Sequence, residues 1–146
     1  MTTFDRLVGL RVLGIHQFIY ERTGGRIGRR LGKAPMLLLE TKGRKTGRPR
    51  TVALLYHPDR DDYAVVGSKG GSDTPPAWLL NLQTTREVGV QIGTERFPAR
   101  ARVATADERR RLWVEFTRLW PNYNRYQAQT ARQIPVVILS REHADH

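Results

Sequence analysis

One stretch, Lys42-Gly43-Arg44-Lys45-Thr46-Gly47-Arg48-Pro49-Arg50, constrains this chain more than any other. It separates two apolar runs, Met36-Leu37-Leu38-Leu39 and Val52-Ala53-Leu54-Leu55-Tyr56. Two glycines and a proline between such runs predict a hairpin connection between two strands. Five of the nine residues are basic and none is acidic. Cations crowded into one tight turn repel each other, so the turn calls for an anionic partner.

The charge distribution sharpens that expectation. The formal net charge is +11, and residues 1–56 hold 12 Lys/Arg against 3 Asp/Glu, whereas residues 57–146 hold 13 against 11. A positive field confined to one part of the chain suits nucleic acid, an anionic membrane or a polyanionic small molecule. A length of 146 residues fits a single domain able to bury roughly 68–70% of its unfolded surface. No apolar run approaches the roughly 18–20 residues needed to span a bilayer. Arg6 and Arg11 interrupt the first apolar residues, and no small-residue cleavage site follows. There is no cysteine, which removes disulfides, thiolate metal ligands and a cysteine nucleophile. These features predict a cytoplasmic protein.

In chain order, Phe4, Leu7, Val8, Val12, Ile15 and Ile19 recur at helical spacing and predict an amphipathic helix over residues 4–22, with a basic linker running to residue 33. The helix packs on the domain, or lies on a membrane surface aided by Arg22, Arg26, Arg29, Arg30 and Lys33. Strands are predicted at Met36–Thr41, Thr51–Tyr56, Tyr63–Gly67, Val88–Ile92, Arg96–Ala104 and Ile134–Leu139. His57–Asp62 reads as a polar turn, and Ser68–Pro76 as a Gly/Pro-rich loop. A short helix over Ala77–Leu82 is entered through Pro76. Thr105-Ala106-Asp107-Glu108 is a capping box that opens a longer helix with Leu112, Trp113, Phe116, Leu119 and Trp120 on its inner side. Asn122–Arg132 reads as a further helix and 141–146 as a flexible tail. Strands first and last with helices between them predict an α+β domain around a mostly antiparallel sheet or barrel.

Most catalytic constellations are missing. His16, His57, His143 and His146 are at no metal-ligand spacing, and neither a Gly-x-Ser-x-Gly nor a Walker-type loop occurs. What remains is a set of cations at strand ends (Lys45, Arg50 and Lys69) with a small-residue loop, Ser68, Gly70 and Gly71, able to offer backbone N–H groups to an anion. Trp78 supplies a flat face, and Tyr123 and Tyr126 supply phenolic donors. Together these suit a planar heterocycle with an anionic tail.

Four separated motifs then make the chain recognisable: Gly43–Arg50, Val66-Gly67-Ser68-Lys69-Gly70-Gly71, Pro76-Ala77-Trp78-Leu79-Leu80-Asn81-Leu82, and Pro121–Tyr126 followed by Ile134-Pro135. In this order and spacing the chain, from about Pro35 to Leu139, closely resembles the deazaflavin-dependent nitroreductase family, actinobacterial oxidoreductases that use reduced coenzyme F420. The resemblance implies a split β-barrel of the FMN-binding type and a cofactor bearing a phosphate and an oligoglutamate tail. It places Arg44, Lys45, Thr46 and Arg50 on the phosphate and tail. Thr51, Val52, Ala53, Leu54 and Leu55 would line the ring, and Val66, Gly67, Ser68 and Lys69 would contact ring and phosphate. Ala77, Trp78, Leu79, Leu80 and Asn81 would pack along the ribityl side. Tyr123 and Tyr126 match the aromatic positions that close over the substrate, with Tyr123 orienting the acceptor and relaying a proton and Ser68 donating to the acceptor oxygen.

The implied reaction is hydride transfer to an electron-poor acceptor, a quinone in the first place and a nitro compound as a side activity. No metal is implied. The sequence departs from relatives at Ala53 and Leu55, where proline and an aromatic residue are frequent, and at Trp120, which replaces a tyrosine of some members. Other readings stay open: nucleic-acid binding through the basic N-terminal part, FMN in place of the deazaflavin, or a non-catalytic deazaflavin carrier. Peripheral contact with the inner face of the cell membrane through the first helix is open as well.

Overall fold

A computed structural model of the chain describes residues 35–142. The amphipathic helix expected over residues 4–22, the basic linker and all but the first two residues of the expected tail lie outside the described residues.

The strands are β1 (Met36–Lys42), β2 (Pro49–Asp59), β3 (Asp62–Val66), β4 (Glu87–Ile92), β5 (Glu95–Val103) and β6 (Val136–Arg141). They close into an antiparallel barrel in the order β1-β2-β3-β6-β5-β4, with β4 paired back onto β1. The helices are α1 (Ala77–Thr84), α2 (Ala106–Leu119) and α3 (Asn122–Ala128), with a 3-10 turn at Lys69–Gly71. This is the antiparallel barrel with interleaved helices that the sequence predicted.

Strand alternation sorts the core into two. Leu37, Leu39, Val65, Val90, Phe97, Ala99, Val137 and Leu139 point into the barrel, where Trp78, Leu79 and Leu82 of α1 join them. Their neighbours of opposite parity, Leu55, Ala64, Val66, Val136 and Ile138, face outward and are covered by Leu112, Phe116 and Tyr123 of α2 and α3. Each strand side chain points opposite to the last, so strands covered on both faces read as continuous apolar runs. Phe116 is fully buried, and truncating it to alanine is expected to cost about 3–5 kcal/mol.

Three expectations need correcting. His57-Pro58-Asp59 belongs to β2 and not to a turn, because the strand runs on past the end of β1. The Tyr56 amide donates to the Pro35 carbonyl. The next nitrogen on that side is Pro58, which carries no N–H to leave unpaired beyond the end of the β1 ladder. The third helix stops at Ala128, short of Arg132. Pro135 disfavours helix at the residue before it, and the Gln127 side chain grips the departing backbone at Arg132 and Ile134. Arg141, expected in the tail, completes β6, pairs with Glu95 and lies 3.9 Å over the Phe97 ring.

Candidate functional site

The cationic stretch forms the β1–β2 hairpin with Lys42 opposite Pro49. Gly43 and Arg48 close it through an N–H to carbonyl bond of 2.8 Å, and the Gly43 carbonyl accepts from the Gly47 amide at 2.8 Å. Gly47 sits at φ 74°, a left-handed conformation that glycine adopts without steric cost. Thr46 Oγ1 accepts from the Arg48 amide at 3.2 Å and tightens the last step of the turn.

A helix more than thirty residues downstream fixes this turn in space. Asn81 is almost fully buried, and its Oδ1 accepts from both the backbone amide and the guanidinium of Arg44, each at 3.1 Å. Its Nδ2 donates to Thr41 Oγ1 at 3.1 Å, so both ends of the amide are used. The turn and α1 thereby enclose a cleft of about 510 Å³. Gly43, Arg44, Lys45, Thr46, Arg50, Thr51 and Val52 line it from the hairpin, and Ala77, Trp78 and Asn81 line it from α1.

The cleft has the electrostatics of an anion site. No acidic residue lines it, and neither Lys45 nor Arg50 forms an ion pair among the described residues. Thr51, which lines the cleft, has its Oγ1 buried with no hydrogen-bond partner among the described residues, an arrangement that leaves a polar group to be satisfied. Trp78 and Val52 give the cleft an apolar wall. Three cations, an orphaned hydroxyl and an aromatic surface fit a phosphate-bearing planar cofactor.

The other expected residues lie elsewhere. Alternation puts Val52 and Leu54 on the inner face of β2 and Thr51, Ala53 and Leu55 on the outer one. That outer strip runs about 13 Å from Thr51 to Leu55 at strand rise. At its far end Leu55 and Val66 pack in the cluster that holds Tyr123, with Tyr126 beside it. Leu79 turns into the barrel core and Leu80 is half-buried, and neither lines the cleft. Gly67 and Ser68 also lie outside it, and Lys69 rests its Nζ on Thr74 Oγ1 at 3.4 Å. The expected cation trio is therefore a pair, Lys45 and Arg50, joined by Arg44.

Tyr123 is buried edge-on between Phe116 and Tyr126, with ring centroids 5.8 and 6.0 Å away. Burial, helped by the neighbouring Tyr126, pushes its phenol up to about 12. The Tyr126 hydroxyl accepts from Trp120 Nε1 at 3.4 Å, which leaves its own proton free for donation. Arg109 ties the two helices to the barrel wall: its Nε donates to the Ile134 carbonyl at 2.7 Å and its terminal nitrogen to Gln127 at 3.0 Å. Sequence reasoning missed the Asn81–Arg44 link and the roles of Gln127, Arg109 and Arg132. Each is a contact made across the fold, with no local pattern to announce it. Among the described residues no cluster could hold a metal ion, and no helix is long and apolar enough to cross a membrane.

Comparison with known proteins identifies the family. Residues 12–141 match the sequence model of the family described as F420H(2)-dependent quinone reductase. The chain is 40% identical, over 94% of its own length and 95% of the relative's, to an F420H(2)-dependent quinone reductase of Mycobacterium tuberculosis. A solved F420-H2 dependent reductase (FDR-A) superposes with a TM-score of 0.67 at 36% identity, covering 73% of this chain and 94% of that one. HutZ, the heme storage protein of Vibrio cholerae, shares only the fold, with a TM-score of 0.58 at 16% identity over 82% of this chain and 89% of that one. The matched family spans the hairpin, the cleft and the tyrosine helix alike, and the chain belongs to the F420H(2)-dependent quinone reductases.

Proposed function

We propose that the chain reduces a quinone with F420H2, gripping the cofactor's acidic end in the Arg44–Trp78 cleft and presenting the acceptor near Tyr123. The single observation that carries this reading is the cleft itself: Lys45 and Arg50, which form no ion pair among the described residues, line it together with Thr51 and an apolar wall of Val52 and Trp78. Arg44, Lys45, Thr46 and Arg50 would hold the phosphate and oligoglutamate, because guanidinium forks and an ammonium match phosphate and carboxylate oxygens. Thr51, Ala53 and Leu55 would guide the ring along the outer face of β2, towards Val66, Gly67, Ser68 and Lys69. Ala77, Trp78 and Asn81 would flank the ribityl portion.

F420H2 supplies a hydride to the acceptor. Converting a quinone to its hydroquinone takes up that hydride and one proton. The chain's part is to orient the acceptor and deliver the proton. Tyr123 keeps its phenolic proton at neutral pH, since burial disfavours the phenolate. It therefore acts as a hydrogen-bond donor at the acceptor oxygen, where charge develops, and passes on a proton drawn from solvent. Tyr126, with its oxygen already engaged by Trp120, has its hydroxyl proton available alongside. Ser68 is a further donor from the loop after β3. A nitro compound is an alternative acceptor for the same chemistry. A membrane contact through residues 4–22 would bring the enzyme to a lipid-soluble quinone.

The experiment is a titration of F420 and of FMN into the protein, followed by oxidation of F420H2 against a panel of menaquinone analogues and nitroimidazoles. Saturable F420 binding without FMN binding, and turnover with the quinones, is the expected result. Saturation by FMN alone, or F420 binding without any turnover, would replace this reading by a flavoprotein or by a carrier.

A further inference from the structure

We propose that Arg132 is a positioning residue that sets the loop carrying Ser68 and Lys69 against the helix carrying Tyr123 and Tyr126. This rests on the assignment of Ser68 and Lys69 to the cofactor-binding surface. The Arg132 Nε donates to the Ser72 carbonyl at 2.8 Å. One terminal nitrogen donates to the carbonyls of Ser68 at 2.8 Å and Gly67 at 3.2 Å. One guanidinium thus holds three backbone oxygens of a segment 60 to 65 residues away in sequence.

That segment needs holding. Lys69, Gly70 and Gly71 have φ of 47, 62 and 84°, three successive residues in the left-handed region, and Lys69 is not a glycine. Its own backbone offers only the Gly71 N–H to Ser68 carbonyl bond at 3.1 Å and the Ser72 N–H to Lys69 carbonyl bond at 3.2 Å. A non-glycine residue persists in such a conformation when surrounding structure over-determines it. Arg132 supplies that determination from one side.

Gly71 supplies it from the other. A Cβ there would lie 2.8 Å from the Tyr126 carbonyl and 2.7 Å from Gln129 Oε1, so the loop backbone touches α3 directly. Arg132 is fixed in turn by Gln127, whose Nε2 donates to the Arg132 carbonyl at 2.8 Å. The Gln127 Oε1 accepts from the Ile134 amide at 2.8 Å and from Arg109 at 3.0 Å. A continuous set of hydrogen bonds therefore runs from α2 through α3 to the backbone of Ser68. Arg132 does not line the cleft, and it acts through the carbonyls it holds.

The test compares the full-length wild type with Arg132→Met and Arg132→Lys. Three readouts are taken: amide hydrogen exchange at Gly71 and Ser72, F420 affinity by fluorescence titration, and the separate kcat and KM for a menaquinone analogue. Arg132→Met is expected to speed exchange at both amides at least tenfold and to weaken F420 about tenfold. Its kcat should fall while the quinone KM changes less than threefold. Arg132→Lys, which keeps the charge and one or two of the bonds, should fall between. Unchanged exchange at Gly71 and Ser72 in Arg132→Met overturns the proposal, whatever F420 does. Should Arg132→Met fail to fold, Arg132→Lys decides, and wild-type F420 affinity with wild-type kcat in that variant reduces Arg132 to a structural residue. If the wild type itself does not bind F420, the functional reading fails, while the exchange measurement still judges the clamp.

Discussion

Asn81 receives Arg44 twice, through the backbone amide and through the guanidinium, on the same side-chain oxygen. The cationic turn is thereby held by a helix that lies across the cleft from it. Replacing Asn81 with leucine keeps the branched shape and heavy-atom count and removes three hydrogen bonds, leaving Thr41 Oγ1 buried with its partner gone. The expected cost is about 2–3 kcal/mol in thermal or urea unfolding. Asn81→Asp discriminates further. It can still accept from Arg44 and from the Thr41 hydroxyl, so unfolding should change little, but its charge sits in the cleft and F420 affinity should fall at least tenfold.

The hairpin cations are not equivalent, although the sequence presents them alike. Lys45 and Arg50 line the cleft, whereas Arg48 does not. Removing a charge-assisted contact is worth about 1.5–3 kcal/mol, or roughly 10–100-fold in affinity. Lys45→Ala and Arg50→Ala should each weaken F420 by that factor, and Arg48→Ala by less than threefold. Equal losses for all three would mean that only the diffuse field of the turn matters. F420 affinity left intact in both Lys45→Ala and Arg50→Ala would remove the cleft from cofactor binding.

The start of α2 sets an acid limit to stability. Glu108 is held at about 2, chiefly by the Arg102 side chain bonded at 2.7 and 2.8 Å and then by the Thr105 amide. Its ordinary value is 4.5, so the unfolded chain takes up the proton first. The stabilisation is complete above about pH 4.5 and is lost as pH falls towards 2. Urea midpoints between pH 5 and 2.5 should therefore drop more steeply in the wild type than in Glu108→Gln. Thr105→Ala removes the other half of the capping box and should cost about 1 kcal/mol at pH 7.

Tyr123 is expected to work as a donor and never as a phenolate. Its pKa is raised to about 12 by burial, so the unfolded chain ionises first and stability declines as pH climbs from 10 towards 12. Below pH 10 turnover should show no loss assignable to this residue. Tyr123→Phe keeps the packed ring and should leave F420 affinity within threefold. Loss of a proton-delivering group lowers turnover by about 10²-fold or more. Wild-type turnover in Tyr123→Phe would strike the residue from the mechanism.

The sequence by itself determined the elements whose cause is local. Gly43, Gly47 and Pro49 made the hairpin, period-two alternation made the strands, and Thr105 with Glu108 began α2. Family motifs then carried the cofactor and the barrel. Only the tertiary structure decided which cations meet: Arg44, Lys45 and Arg50 share a cleft because Asn81 pins the turn, while Lys69 rests on Thr74. It also separated Leu54, inside the barrel, from Leu55, beneath the tyrosine helix. It ended the third helix early, so that Arg132 could reach the carbonyls of Gly67, Ser68 and Ser72. Turns, caps and strand periods depend on neighbours a few residues apart. The site depends on hydrogen bonds between residues 37 to 65 positions apart, which become favourable only after the barrel has closed.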